Sequence, residues 1–183
     1  MILSGSGSPA GLRRDTPAWS GEERSMETVA EEKRRNIQMK VRIQKLSPSA
    51  ILPVRGSGQA AGYDLCADLS ESLLIAPGET VKVGTGLAAA IPEGYFGGIF
   101  ARSGLSVKSG LRPANCTGVV DSDYRGELIV ALHNDSDEMR TITPGERIAQ
   151  LILLPYLAAE FVMVEELDKT ARGTGGFGST GTG

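Results

Sequence analysis

Gly126-Glu127-Leu128-Ile129-Val130-Ala131-Leu132-His133 decides the fold class, because apolar residues recur at 128, 130 and 132, with Ile129 the one large apolar residue out of phase. Successive side chains of an extended chain point to opposite faces, so Leu128, Val130 and Leu132 would share one face of a strand. Further along, Ile148-Ala149-Gln150-Leu151-Ile152-Leu153-Leu154 is almost continuously apolar, the pattern of a strand buried on both sides. Working outward, Val41 and Ile43 open another strand, and Val81, Val83 and Leu87 lie on one more around Gly84 and Gly86. Pro77-Gly78, Pro92-Glu93-Gly94, Asn134-Asp135 and Pro144-Gly145 supply turns between these runs. No long segment keeps a helical period. The one internal helix expected is brief, from Gly104 to about Ser109, following Ser103 and ended by Gly110. The expectation is an all-β, jelly-roll-like distorted barrel with one short helix, some of whose strands meet a neighbouring subunit.

A chain of 183 residues suits one such domain, and the strand-rich pattern occupies residues 39–171. Residues 1–38 are Ser/Gly/Pro-rich and then mixed in charge, with only Met26, Val29 and Ala30 apolar between Glu22 and Arg35. They read as a disordered extension, or as an upstream start ahead of Met39. The segment has no apolar core for a secretory signal, and its balanced acids and bases argue against a transit peptide. No run approaches the length of a membrane span, and a net charge of −3 leaves no broad basic field for a nucleic-acid polymer. A cytoplasmic protein with a small ligand is expected. Cys66 and Cys116 lack metal-site spacing and form no ligand cluster with His133, so reduced thiols are expected.

Five stretches carry chemistry. Residues 172–183 form a glycine-rich, flexible C-terminal arm that contains Arg172 and Phe177, one offering a planar donor fork to phosphate and the other a face to a flat ring. Gly173, Gly178 and Thr180 partly imitate a phosphate-binding loop of the Walker type, but Ser179 occupies the lysine position and no helix follows. Arg102-Ser103-Gly104 stands at the mouth of the short helix and fits either an anion seat or an ordinary Ser N-cap beside a surface Arg. Asp121-Ser122-Asp123-Tyr124 fits either a tight turn or a site in which a carboxylate activates water over an aromatic floor. Gln150 is either a satisfied core amide or a water-holding group, and Asp64, taken alone, is a turn residue.

Taken together, five stretches in order resemble the trimeric dUTPase family: residues 61–65, 102–105, 118–126, 144–153 and 172–181. The resemblance implies Mg²⁺-dependent hydrolysis of dUTP to dUMP and pyrophosphate, by in-line attack of water on the α-phosphorus. It implies that Asp121 is the general base and that Gln150 helps to hold the water. Arg102, Ser103, Gly104 and Arg172 would bind phosphates, with Gly178 and Ser179 on the closing arm and Phe177 stacked on uracil. Tyr124 would lie under the deoxyribose and exclude a 2′-hydroxyl, while Asn115 would recognise the base. Mg²⁺ would be held mainly by the three phosphates, with Asp64 touching it through water. The implied assembly is a homotrimer with shared sites, to which one chain gives Asp64, Arg102 and Gln150, a second Asp121, and a third the arm. The related dCTP deaminases share the fold and the Arg-Ser motif but lack this hairpin combined with an Arg/Phe arm. A non-catalytic nucleotide sensor would be expected to have lost the base or the arm, and Asp121, Arg172 and Phe177 are all present.

Overall fold

The computed structural model describes residues 39–176. In chain order the strands are β1 (Arg42–Lys45), β2 (Val54–Arg55), β3 (Tyr63–Cys66), β4 (Leu73–Ile75), β5 (Thr80–Gly84), β6 (Leu87–Ala90), β7 (Tyr95–Phe100), β8 (Leu111–Pro113), β9 (Thr117–Val120), β10 (Ile129–Asn134), β11 (Arg140–Ile142) and β12 (Arg147–Pro155). Helix α1 (Ser103–Ser109) lies between β7 and β8. All pairings are antiparallel, and the strands divide among four sheets: β2-β3-β12-β7-β9, β5-β10-β8, β1-β6 and β4-β11. The architecture is all-β and jelly-roll-like, as the sequence pattern requires, but its ladders do not close into one continuous barrel.

The alternation in the opening run becomes burial. Leu128, Val130 and Leu132 sit in one core with Leu65, Ile75, Val83, Leu87, Leu111, Ile142 and Ile148, while Ile129 between them faces outward. β12 is flanked by β3 on one edge and β7 on the other. Its first half is buried through Ile148, Ala149 and Leu151, whereas Ile152, Leu153 and Leu154 are only half-covered within one chain.

One local expectation is corrected and another is explained. Val81 to Leu87 is not one strand but two, because Gly86 adopts φ +64° and the chain turns there. A side chain at 86 would also collide with the Asp68 carboxylate and the Ala50 methyl, so the break needs glycine twice over. Asn134 stands, as its turn signal implied, where the chain leaves β10, and it is fully buried there. Its amide donates to the carbonyls of Ile75 (3.0 Å) and Glu138 (2.8 Å), and its oxygen accepts from the Ser136 backbone N–H (3.0 Å) and hydroxyl (2.7 Å). The residue does shape the turn that follows, but from inside the core.

After Pro155 the described chain carries no further strand or helix, and residues 156–174 are exposed throughout. Replacing Asn134 with Ala should cost about 2–3 kcal/mol, since it leaves the Ile75 carbonyl and the Ser136 N–H without partners. Urea unfolding at fixed protein concentration measures this. A loss below about 0.5 kcal/mol would mean that water reaches those groups and the network is not structural.

Candidate active site

Asp64 lies in a strand, not in a turn, and faces Gln150 across the β3–β12 ladder. Between Arg147 and Ala149 the register shifts by a β-bulge. An extra residue at this point reverses the parity of the strand, so Arg147 reaches the face that carries Gln150 and Asp64. One Asp64 oxygen accepts from Arg102 Nε at 2.8 Å and the other from Arg147 Nη1 at 3.1 Å. Arg102 Nη1 donates to the Arg147 carbonyl at 3.2 Å, and Gln150 Nε2 to the Ala101 carbonyl at 2.9 Å. Nearby, Cys66 is buried, and that burial, reinforced by the Asp64 charge, pushes its thiol pKa up. It is therefore a neutral core group and not a nucleophile.

Arg102 is also the residue that caps α1, with φ −89° and ψ 126° and no side-chain cap bond. Ser103 is accordingly the first helical residue, one position earlier than expected, and not the N-cap. The backbone N–H groups that open a helix have no intrahelical acceptor, so this end suits an anion. A side chain at Gly104 would meet nothing within 4 Å beyond its own helix among the described residues, so its surroundings are open. At the other end, Gly110 closes the helix in the left-handed conformation (φ +67°).

A second group gathers on the β8–β9 hairpin and the turn after β9. Asn115 is in the hairpin turn, where Cys116 takes φ +59°. Asp121 to Tyr124 forms a hydrogen-bonded turn, Tyr124 N–H to Asp121 carbonyl at 3.2 Å, so the segment both turns the chain and lines a cavity. Asn115, Asp121 and Tyr124 share a cleft of about 210 Å³ over Ile99, Gly118 and Ile129. Asp121 also borders a wider groove of about 790 Å³ with Ile91, Phe96, Arg125 and Tyr156. The Tyr124 hydroxyl donates to the Glu127 carbonyl at 3.1 Å, which holds the ring over Gly126, where any side chain would strike it.

The two groups do not meet within one chain. Val120, the residue before Asp121, pairs with Gly97, which pairs with Leu153. Val120 therefore stands three residues along β12 and two strands across from Gln150, roughly 14 Å away by strand geometry. Arg172 is exposed and donates to its own neighbour, the Gly175 carbonyl, at 3.1 Å. Phe177, Gly178 and Ser179 lie outside the described residues, as do residues 1–38. No group of three or more His, Cys, Asp or Glu that could cage a metal occurs among the described residues. Each Asp64 oxygen keeps a lone pair beyond its arginine bond, enough to accept from a metal-bound water. That donor set fits a cation held chiefly by a ligand's phosphates, which is how Mg²⁺ commonly binds.

The dUTPase family model matches residues 48–181, a span that takes in both groups and the arm. The chain belongs to the dUTPase family. Membership makes it an enzyme of the dUTP diphosphatase class. Deoxyuridine 5'-triphosphate nucleotidohydrolases of Wolinella succinogenes and Desulfitobacterium hafniense are 51% and 46% identical to it, over 79% and 80% of this chain and 95% and 97% of theirs. Among solved structures, a mutant dUTPase of Staphylococcus bacteriophage 80alpha with dUpNHpp superposes with TM-score 0.72 at 31% identity, covering 79% of this chain and 99% of that one. A mutant dUTPase of phage phi11 of S. aureus, described with a structural Mg(II) ion, gives 0.62 at 30% identity, covering 70% of this chain and 98% of that one.

In this dUTPase the residue that sequence reasoning passed over is Arg147. It belongs to the recognised fourth stretch, but only the bulge brings it onto Asp64, and a bulge leaves no mark in the apolar pattern. Gly62 is better explained by the structure than by the sequence: a Cβ there would overlap the Gln150 side-chain amide. That amide is the far end of a flexible side chain and would swing away, while the Gln150 Cβ, 3.2 Å from the added methyl, need give by only a few tenths of an ångström. Gly62→Ala should hence leave the thermal midpoint nearly unchanged but lower dUTP turnover at saturating substrate, by about tenfold or more, through displacement of Gln150. Full turnover would show that the position of Gln150 is immaterial.

Proposed function

We propose that this dUTPase hydrolyses dUTP to dUMP and pyrophosphate by in-line attack of water on the α-phosphorus, with Mg²⁺ as cofactor, in a homotrimer whose sites are shared between chains. The observation that carries this reading is the separation of its two half-sites. A base that takes a proton from a water, and an amide that holds it, must both lie within about 3 Å of the same oxygen. Asp121 and Gln150 are too far apart for that in one chain, yet each faces solvent or a cleft. A neighbour's Asp121 laid against Gln150 meets the requirement. Surface chemistry favours the same assembly: Val119 is 64% exposed beside Asp121, and Phe161 and Met163 in the tail are each 96% exposed. Apolar area of that size in water is characteristic of an interface.

In this reading Asp121 accepts the proton of the attacking water, and Gln150, anchored on the Ala101 carbonyl, orients its lone pair toward phosphorus. Arg102, with Ser103 and Gly104 at the helix mouth, aligns the phosphates, and Arg172 adds a further guanidinium from the arm. Mg²⁺, when bound to the triphosphate with Asp64 behind its waters, neutralises charge that builds on the leaving pyrophosphate. Asn115 contacts the base, Tyr124 fills the space a 2′-hydroxyl would need, and Phe177 covers the ring from the arm. The domain itself is residues 39–171, with 172–183 as the closing arm. Such an activity, placed in the cytoplasm, limits uracil incorporation into DNA and supplies dUMP for thymidylate synthesis.

Release of pyrophosphate from dUTP, but not from dCTP, dTTP or UTP, tests the reaction. Asp121→Asn should lower turnover by about 10²–10⁴-fold while nucleotide binding persists. Near wild-type turnover would remove Asp121 from the mechanism. The shared site has its own check, in which Asp121→Asn and Gln150→Ala chains are unfolded together and refolded in equal amounts. Random trimers would regain about a quarter of wild-type activity, since one site in four then draws both intact residues from different chains. A mixture no more active than its components would refute sharing.

A further inference from the structure

The bulge at the start of β12 has a chemical consequence beyond the alignment of Gln150. It places Arg147 where a single carboxylate, Asp64, is gripped from both sides, by Arg102 on one oxygen and Arg147 on the other. Asp64 is only 13% exposed, so its charge needs partners, unlike that of a free surface carboxylate. Arg102 is held by Arg147 through two routes: by way of Asp64, and directly through the Arg147 carbonyl.

We propose that Arg147 is a positioning residue for triphosphate binding, fixing Asp64 and through it the orientation of the Arg102 guanidinium. A guanidinium has five N–H donors. Arg102 spends one from Nε and one from Nη1 on the protein, so its plane is set and its remaining donors form the edge left for phosphate oxygens. If Arg147 were lost, Asp64 would have one cation in place of two, and it could turn toward Arg102 and draw it off the phosphate edge. The inference rests on the hydrolytic reading above, and its test separates the two.

The full chain is compared with Arg147→Gln, Arg147→Lys, Asp64→Asn and the double variant Asp64→Asn/Arg147→Gln. Calorimetry without added metal reads the affinity for an α,β-imido analogue of dUTP and for dUMP, and steady-state assays with Mg²⁺ give kcat and KM. Arg147→Gln should weaken the imido analogue and raise KM by about tenfold, the scale of one lost charge-assisted hydrogen bond. Affinity for dUMP should stay within about twofold, since its single phosphate draws less on the Arg102 edge. Arg147→Lys, which keeps one donor for Asp64, should recover part of the loss. The double variant should bind no more weakly than Asp64→Asn alone, because a residue acting through Asp64 has nothing left to lose. Unchanged affinity in Arg147→Gln, equal weakening of analogue and dUMP, or additive losses in the double variant would each overturn the proposal. Should Arg147→Gln fail to fold, the Arg147→Lys and Asp64→Asn affinities decide by the same criteria. Wild-type chain that releases no pyrophosphate from dUTP would instead remove the hydrolytic reading, and this proposal with it.

Discussion

Pairing of β12 along both of its edges is the constraint on which the rest of the structure depends. Held between β3 and β7, the strand has no freedom to slip, because a shift of one residue would turn every side chain to the opposite face. Ile148, Ala149 and Leu151 are tied to the core by that register, and Gln150 is tied by it to Asp64. The bulge is the one place where the rule of two is broken. It lets consecutive residues, Ile148 and Ala149, both be buried while Arg147 and Gln150 both reach the functional face. Packing and chemistry are therefore set by the same few hydrogen bonds.

The sheet that anchors Gln150 so firmly also holds the Asp121 turn away from it. β7 stands between β12 and β9, so the Asp121 turn is separated from Gln150 by a full strand and by several residues of rise. No side-chain rotation spans such a gap. In the proposed shared site a second chain bridges that gap, and the half-covered end of β12 and the exposed apolar tail are the surfaces open to it. Assembly and catalysis would then be linked: a chain unable to find its partners would carry intact residues in an incomplete site.

Legibility in the sequence varied with how local the cause was. Leu128, Val130 and Leu132 announced their strand because burial on one face imposes a period of two, and all three are buried. Pro-Gly turns were equally plain, since they follow from backbone sterics at two residues. Gly86 was visible as a glycine, but its role in dividing β5 from β6 depends on Asp68 and Ala50, residues far away in the chain. Asn134 looked like a turn residue because asparagine so often is one. Only the carbonyls of Ile75 and Glu138 explain why it is buried. Arg102 and Ser103 fitted either an anion seat or a Ser N-cap, and their order at the helix start, with Arg102 as the cap, was not legible.

By itself the sequence determined the fold class, the position of most turns, the short helix and the residues proposed for a nucleotide site. These are matters of periodicity, backbone preference and side-chain type, each settled within a few neighbours. Tertiary structure alone decided which of those residues meet: that Asp64 is shared by Arg102 and Arg147, that Gln150 leans on Ala101, and that Asp121 stands with Asn115 and Tyr124 in a different place. The physical reason is that strand pairing joins residues separated by tens of positions. Its register, with one bulge, is chosen by the burial of the whole core and not by any stretch that could be read alone.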